Sequence, residues 1–284
     1  MFRGWRVRGG VITPPRGEFR PLVIGILNVT PDSFFDGGRH ATADAAVAHG
    51  RTLLALGADL LDVGGESTRP GAAAVSVGEE MGRTIPVIER LARDGAKVCI
   101  DTRRPEVAEA ALDVGACAVN DVEGLRDPAM LALCARFSAG ACAMHMLGEP
   151  STMQRDPDYA DVVEAVGQYL SDVAARWRAA DLPSDALALD PGIGFGKSLE
   201  HNLSLVAATS SFRSRFPNHP WYLGLSRKSW IRALPGTESE SDRLAGSLGG
   251  ALAAAGSGCD ILRVHDVAAT LEAWRAFSAC GAAA

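Results

Sequence analysis

The feature that most constrains this chain is a repeated switch in hydrophobic period. Eight short apolar runs recur along it: Leu22–Asn28, Leu60–Val63, Lys97–Asp101, Cys117–Asn120, Ala141–His145, Ala186–Asp190, Trp221–Gly224 and Asp260–His265. Helical spacing takes over between them, over Thr42–Leu56, Val77–Ala92, Pro105–Val114, Asp158–Ala179, Leu199–Thr209, Asp242–Ala255 and Ala268–Phe277. Pro105 suits the first turn of its helix, and Gly57, Gly95 and Gly115 fall where helices should stop. Strand–helix alternation predicts an α/β fold with a parallel sheet covered by helices. Eight such units favour a closed (β/α)8 TIM barrel over an open sheet. The chain has 284 residues, enough for a barrel of about 250. We assign 21–284 to one barrel domain. Residues 1–20 are an N-terminal extension, read either as loosely held or as a short hairpin capping the domain.

Several classes are excluded. The first run ends in Asn-Val-Thr-Pro-Asp-Ser-Phe, without the G-x-G-x-x-G turn of a dinucleotide-binding sheet. The Gly-rich stretch before Lys197 lacks the spacing of a phosphate-binding P-loop. Lys and Arg total 28 against 34 Asp and Glu, a formal charge of −6 that argues against nucleic acid as a partner. No apolar run approaches the 18–20 residues or so that span a bilayer, so no membrane partner is expected. The arginine-rich start has no apolar segment of the secretory kind. The six cysteines form no C-x-x-C pair, which argues against a zinc or redox motif and for a reducing cytoplasm.

The chemistry gathers at the carboxyl ends of the runs, the face on which barrel active sites are built. Run one ends in Asn28, run two reaches Asp62, and runs three to six end in Asp101, Asn120, His145 and Asp190. Run seven leads to Ser226-Arg227-Lys228, and run eight carries Arg263 and His265. The two-residue period puts Ile24, Ile26 and Asn28 on one face, Ala186, Ala188 and Asp190 on one, and Ile261, Arg263 and His265 on one. One polar residue at a strand end means little, because solvent begins there. Eight together suggest a site with acidic groups, Asp101 and Asp190, and basic ones, Lys228, Arg263 and His265. Such a site suits a ligand with a donor-rich edge and a separate anionic tail. Long loops follow runs one, two and six, where mobile lids are usual.

These residues carry a resemblance. Gly25-Ile26-Leu27-Asn28-Val29-Thr30-Pro31-Asp32-Ser33-Phe34, Asp62-Val63-Gly64-Gly65-Glu66-Ser67-Thr68-Arg69-Pro70-Gly71, Ile100-Asp101-Thr102, Asn120-Asp121-Val122 and Met144-His145-Met146 are followed by Asp190-Pro191-Gly192-Ile193-Gly194-Phe195-Gly196-Lys197, Ser226-Arg227-Lys228-Ser229 and Arg263-Val264-His265-Asp266. In this order, over Pro21 to about Ala276, the set resembles the dihydropteroate synthase family of pterin-binding barrels. Two positions depart from the family pattern: Phe35 stands where a small Ser is expected, and Trp230 where Phe is expected.

The resemblance implies condensation of 6-hydroxymethyl-7,8-dihydropterin diphosphate with p-aminobenzoate, releasing pyrophosphate and 7,8-dihydropteroate. It implies that Asp101, Asn120, Met144 and Asp190 form the pterin pocket, with Lys228 donating to acceptor atoms and Arg263 stacking on the ring. Asn28, Arg263 and His265 resemble the family's diphosphate pocket, with Mg2+ held through Asn28. Phe34, Thr68, Arg69, Pro70, Phe195 and Ser229 would line the p-aminobenzoate slot. Asp36, Lys228 and Arg263 are the implied catalytic residues, Asp36 stabilising the cation that develops as pyrophosphate leaves. His145 is either a base or a structural histidine, and its alternation with Met144 favours the structural role. A homodimer through helices late in the chain is also implied, as is sulfonamide binding.

Two other readings stay open. A methyltetrahydrofolate methyltransferase uses a related barrel but needs neither a diphosphate pocket nor Ser-Arg-Lys-Ser. A catalytically dead pterin-binding homologue would lose first-loop or anion residues, yet Asn28, Asp36, Arg69, Lys228, Arg263 and His265 are present.

Overall fold

A computed structural model describes residues 4–30, 38–67, 75–148, 153, 157–236 and 242–282, with the side chains of 38–42, 242 and 282 left aside. Two short strands come first, β1 (Trp5–Val7) and β2 (Gly10–Ile12), paired antiparallel. Then follow β3 (Leu22–Asn28), α1 (Gly38–Ala55), β4 (Leu60–Gly64), α2 (Val77–Arg93), β5 (Val98–Asp101), α3 (Pro105–Asp113), β6 (Ala118–Asp121), α4 (Pro128–Phe137) and β7 (Gly140–Met144). The second half runs α5 (Val162–Ala179), β8 (Leu187–Asp190), α6 (Leu199–Ala207), α7 (Thr209–Arg215), β9 (Tyr222–Gly224), α8 (Ser229–Arg232), α9 (Asp242–Gly256), β10 (Ile261–Val264) and α10 (Val267–Ala282).

Strands β3 to β10 form one parallel sheet in the order β8-β7-β6-β5-β4-β3-β10-β9. The ring closes where Leu189 of β8 bridges Trp221, with Leu189 N–H donating to the Pro220 carbonyl at 2.9 Å. The eight predicted runs are the eight barrel strands, each displaced by a residue or so at most. Helix α4 is absent from the sequence-based expectation. Its ten residues are almost all apolar, so they show no helical polarity; its marks are Asp127, whose side chain accepts from Ala129 N–H, and Pro128 at the first turn.

Alternation along each strand sorts the side chains. Val23, Leu27, Leu61, Val63, Ile100, Val119, Ala141, Leu189 and Leu262 point outward into the helix layer. Leu22, Ile24, Leu60, Cys99, Ala118, Cys142, Ala188, Tyr222 and Ile261 point into the barrel and fill its lower half. Burying one such large side chain contributes about 1.5–3 kcal/mol. The same inward register, continued upward, delivers Asp62, Asp101, Asn120, Asp190 and Arg263 to the opposite end. The apolar layer thus ends where the polar one begins.

The β1–β2 hairpin packs under the barrel. Trp5, Val7 and Ile12 join the interior cluster, Trp5 Nε1–H donates to the Ala186 carbonyl, and Arg8 N–H donates to the Cys117 carbonyl. All six cysteines are free thiols, and all but Cys280 are buried. No helix among the described residues is long and apolar enough to cross a membrane.

Candidate active site

The carboxyl end of the barrel opens into a cavity of about 560 Å³. Asn28 from the end of β3, Asp101 from β5, Asn120 from β6, Met144 from β7 and Asp190 from β8 line it. So do Phe195 from the loop after β8, Lys228 from the loop after β9, Ser229 at the start of α8, and Arg263 and His265 from β10 and its exit. These predicted residues, far apart in sequence, are brought together by the strand register and by the loops that leave the strand ends. Phe34, Asp36, Thr68, Arg69 and Pro70 lie outside the described residues, as does Phe35.

An ion-paired group sits at the cavity floor. Arg263 Nε donates to Asp62 Oδ2 at 2.5 Å, and Arg263 Nη2 donates to Asp101 Oδ2 at 2.6 Å. Asn120 Nδ2 donates to the same Asp62 oxygen at 3.0 Å. Two acceptors fix the guanidinium plane, so Arg263 has little freedom to rotate. Burial works against its charge, but Asp62 and Asp101 outweigh that and hold its pKa above the ordinary value. Burial pushes the Asp101 carboxyl up, with Arg263 opposing and the nearby Asp62, Glu80 and Asp121 adding to the rise.

Asp190 occupies the far wall. Burial raises its pKa, against the pull of Lys228 and the Gly192 N–H that donates to Oδ1 at 2.7 Å. Gly192 has φ +72, and a Cβ there would lie 1.9 Å from the His145 carbonyl oxygen, so only glycine fits this turn. Lys228 Nζ donates to the Ile193 carbonyl at 2.6 Å and lies 4.7 Å from the centre of the Phe195 ring. Burial lowers Lys228 to about 8, opposed by Asp190. Its neighbour Arg227 also borders the cavity and pairs with Asp266.

On the β10 side, His265 Nδ1 is 3.1 Å from Ser226 Oγ, and that hydroxyl also accepts from His265 N–H. Asn28, Arg263 and His265 share the cavity wall, where a guanidinium, an imidazole and an amide face a common space. Among the described residues no three His, Cys, Asp or Glu side chains gather around a point that a metal ion would fill. Mg2+ takes oxygen ligands and keeps several waters, so the Asn28 side chain at the cavity wall offers an amide oxygen of the kind it accepts.

The structure adds residues that the sequence reading did not name as site residues. Asp62 is one, although its inward register on β4 matches that of Asp101 on β5. It acts through Arg263 and Asn120, whereas Thr30, Glu66, Ser67, Arg232 and Arg243 line the cavity themselves. Arg243 comes from α9, outside the strand ends, where no sequence pattern marks it. Trp230 is buried away from the cavity: its Nε1–H donates to the Leu225 carbonyl, and its ring lies over Gly250. The larger indole is therefore absorbed by the helix layer.

The family described as pterin binding enzyme matches residues 24–265. The dihydropteroate synthase of Escherichia coli K12 is 47% identical over 260 residues, 91% of each chain. The structure of Xanthomonas albilineans dihydropteroate synthase with 4-aminobenzoic acid superposes with a TM-score of 0.85 at 47% identity, covering 93% of this chain and 94% of that one. The same enzyme with 7,8-dihydropteroate gives 0.83 at 44% identity, covering 93% and 95%.

Proposed function

Because this chain belongs to the dihydropteroate synthases of the pterin-binding enzyme family, we propose that the cavity at the barrel mouth is where it condenses 6-hydroxymethyl-7,8-dihydropterin diphosphate with p-aminobenzoate. The products are pyrophosphate and 7,8-dihydropteroate, a step of folate biosynthesis. The observation that carries this reading is the convergence of Asn28, Asp101, Asn120, Asp190, Lys228, Arg263 and His265, from separate strands, on one cavity.

In this reading Asp190, Asp101 and Asn120 take the amine and ring N–H groups of the pterin edge, and Met144 packs against the ring. Lys228 donates to the pterin acceptors. Arg263, held in plane by Asp62 and Asp101, stacks on the ring with its charge toward the leaving diphosphate. His265 and Asn28 complete the anion pocket. Asn28 would help hold Mg2+, which would supply positive charge to offset that of the diphosphate. The attacking aryl amine is already neutral, so the site needs electrostatic stabilisation more than a strong base. His145 does not serve as that base: burial, then Lys197, lowers it to about 3, and its Nδ1 lies 3.0 Å from Lys197 Nζ. Phe34, Thr68, Arg69, Pro70, Phe195 and Ser229 form the p-aminobenzoate slot, with Asp36 stabilising the developing cation. A sulfonamide, as a p-aminobenzoate mimic, would enter the same slot.

The assembly we propose is a homodimer through α9 and α10, which expose Leu244 and Phe277. The buried, unpaired thiols accord with a cytoplasmic protein. Mixing both substrates with Mg2+ and quantifying both products tests the reaction. One pyrophosphate should appear per dihydropteroate, and neither product when p-aminobenzoate is omitted. Pyrophosphate release without dihydropteroate would mark a hydrolase instead.

A further inference from the structure

Two residues of the shared motifs have no place in the reaction above: His145, at the exit of β7, and Lys197, at the end of the loop after β8. Neither lines the cavity. They nevertheless meet. Lys197 Nζ lies 3.0 Å from His145 Nδ1, donates to the Phe195 carbonyl at 2.9 Å, and reaches the His145 carbonyl at 3.4 Å. The lysine is buried. A buried amine is costly unless its N–H groups are satisfied, and here every partner belongs to one of the two loops.

The imidazole is suited to this contact. A neutral ring with its proton on Nε2 presents the Nδ1 lone pair to Lys197. Burial lowers Lys197 to about 7, opposed by Asp190 and reinforced by Lys228. Even a neutral amine keeps two N–H groups, enough for the Phe195 carbonyl and His145 Nδ1. The contact therefore survives either protonation state.

The clamp acts on a loop that is fixed elsewhere as well. Lys228 Nζ holds the Ile193 carbonyl, Asn202 Oδ1 accepts from Gly194 N–H at 2.7 Å, and Tyr159 OH donates to the Gly196 carbonyl at 3.0 Å. Gly196 lies so close to Leu147 that a Cβ would approach its Cβ to 2.7 Å. Between these points the Phe195 side chain projects against Val122, Met144, Met146 and Met153. Methionines are adaptable neighbours that do not by themselves fix a ring. The Phe195 N–H donates to the Gly192 carbonyl at 3.1 Å, and Lys197 holds the Phe195 carbonyl on the other side.

We propose that Lys197 is a positioning residue for p-aminobenzoate: by tying the Phe195 carbonyl to His145 it sets where the Phe195 ring stands at the cavity wall. This rests on Phe195 forming part of the p-aminobenzoate slot. Steady-state kinetics of Lys197→Met, Phe195→Ala and the double variant test it, with pterin binding followed by calorimetry and folding by thermal unfolding. Lys197→Met should raise the KM for p-aminobenzoate about tenfold, with a smaller change in kcat and in pterin affinity. Phe195→Ala should raise the same KM, and adding Lys197→Met to it should change little more. An unchanged KM in folded Lys197→Met, with Phe195→Ala impaired, overturns the proposal and spares the slot. An unchanged KM in Phe195→Ala overturns the slot reading and the proposal with it. Should Lys197→Met fail to fold, His145→Leu and His145→Gln decide, because leucine removes an acceptor for the amine and glutamine returns one. A raised KM in the first and a near-normal KM in the second are expected. Equal KM values in both overturn the proposal.

Discussion

Arg263 Nε lies 2.5 Å from Asp62 Oδ2, although 201 positions separate the two residues in the chain. The contact joins adjacent-but-one strands across β3 and sets the guanidinium at the cavity floor. Asn120 Nδ2 donates to the same Asp62 oxygen at 3.0 Å, so Oδ2 serves Arg263 and Asn120 at once. Asp62→Asn should keep the shape and lose the charge. The expected result is a folded protein with pyrophosphate and pterin affinities reduced about tenfold, corresponding to loss of one charge-assisted hydrogen bond of roughly 1.5 kcal/mol. Titration calorimetry with each ligand measures it, and unchanged affinities would reduce Asp62 to a packing residue.

The proposed anion pocket should separate two ligands. His265→Ala should weaken pyrophosphate binding while leaving a pterin without phosphates nearly unaffected. Arg263→Ala should weaken both, because in the proposed site its guanidinium would meet the ring as well as the charge. Equal losses for the two ligands in His265→Ala would remove that residue from anion recognition.

Acid stability carries a sign that His145 fixes. Its ordinary pKa is 6.5, and burial and Lys197 lower it to about 3 in the folded protein. Below pH 6.5 the unfolded chain takes up a proton that the folded one refuses, so this contribution to stability is lost as pH falls from about 6.5 toward 3. Asp121 and Asp260, each raised by burial to about 6, work in the opposite direction as pH falls through 6. They are common to the wild type and His145→Gln, so the difference between the two unfolding curves isolates the histidine. The wild type should lose stability more steeply on acidification; parallel curves would show that His145 titrates normally.

Binding should be ordered. In the proposed reaction p-aminobenzoate, with one ring and one carboxylate, joins the cavity beside the pterin, and association itself costs several kcal/mol of lost translational and rotational freedom, roughly 4 or more. Bound pterin with Mg2+ and pyrophosphate would add a ring face and charge for p-aminobenzoate and its slot to meet. Equilibrium binding of labelled p-aminobenzoate should therefore be weak to the free enzyme and much tighter with those ligands present. Equal affinity in both conditions would refute the order while leaving the synthase assignment intact.

The strand ends were legible because their information is local. A two-residue period carried upward from Ile24, Ala188 and Ile261 leads directly to Asn28, Asp190 and Arg263. Asp62 obeyed the same rule yet was not singled out, since its value lies in a partner two strands away. Arg243 reaches the cavity from α9, and such a contact depends on helix packing that no periodicity reports. Helix α4 hid for a related reason, being apolar on nearly all sides. The Lys197–His145 contact depends on the register between β7 and β8, which follows from pairing those two strands and not from either motif.

The most direct test of the whole account is turnover by Asp190→Ala. Its carboxylate is assigned to the pterin edge, through charge-assisted hydrogen bonds of about 1.5–3 kcal/mol each. Dihydropteroate formation from both substrates should fall at least ten- to a hundredfold in kcat/KM, with pterin affinity falling in parallel and the unfolding transition preserved. Wild-type turnover and pterin affinity in the folded variant would contradict the assignment of the cavity as the site of synthesis.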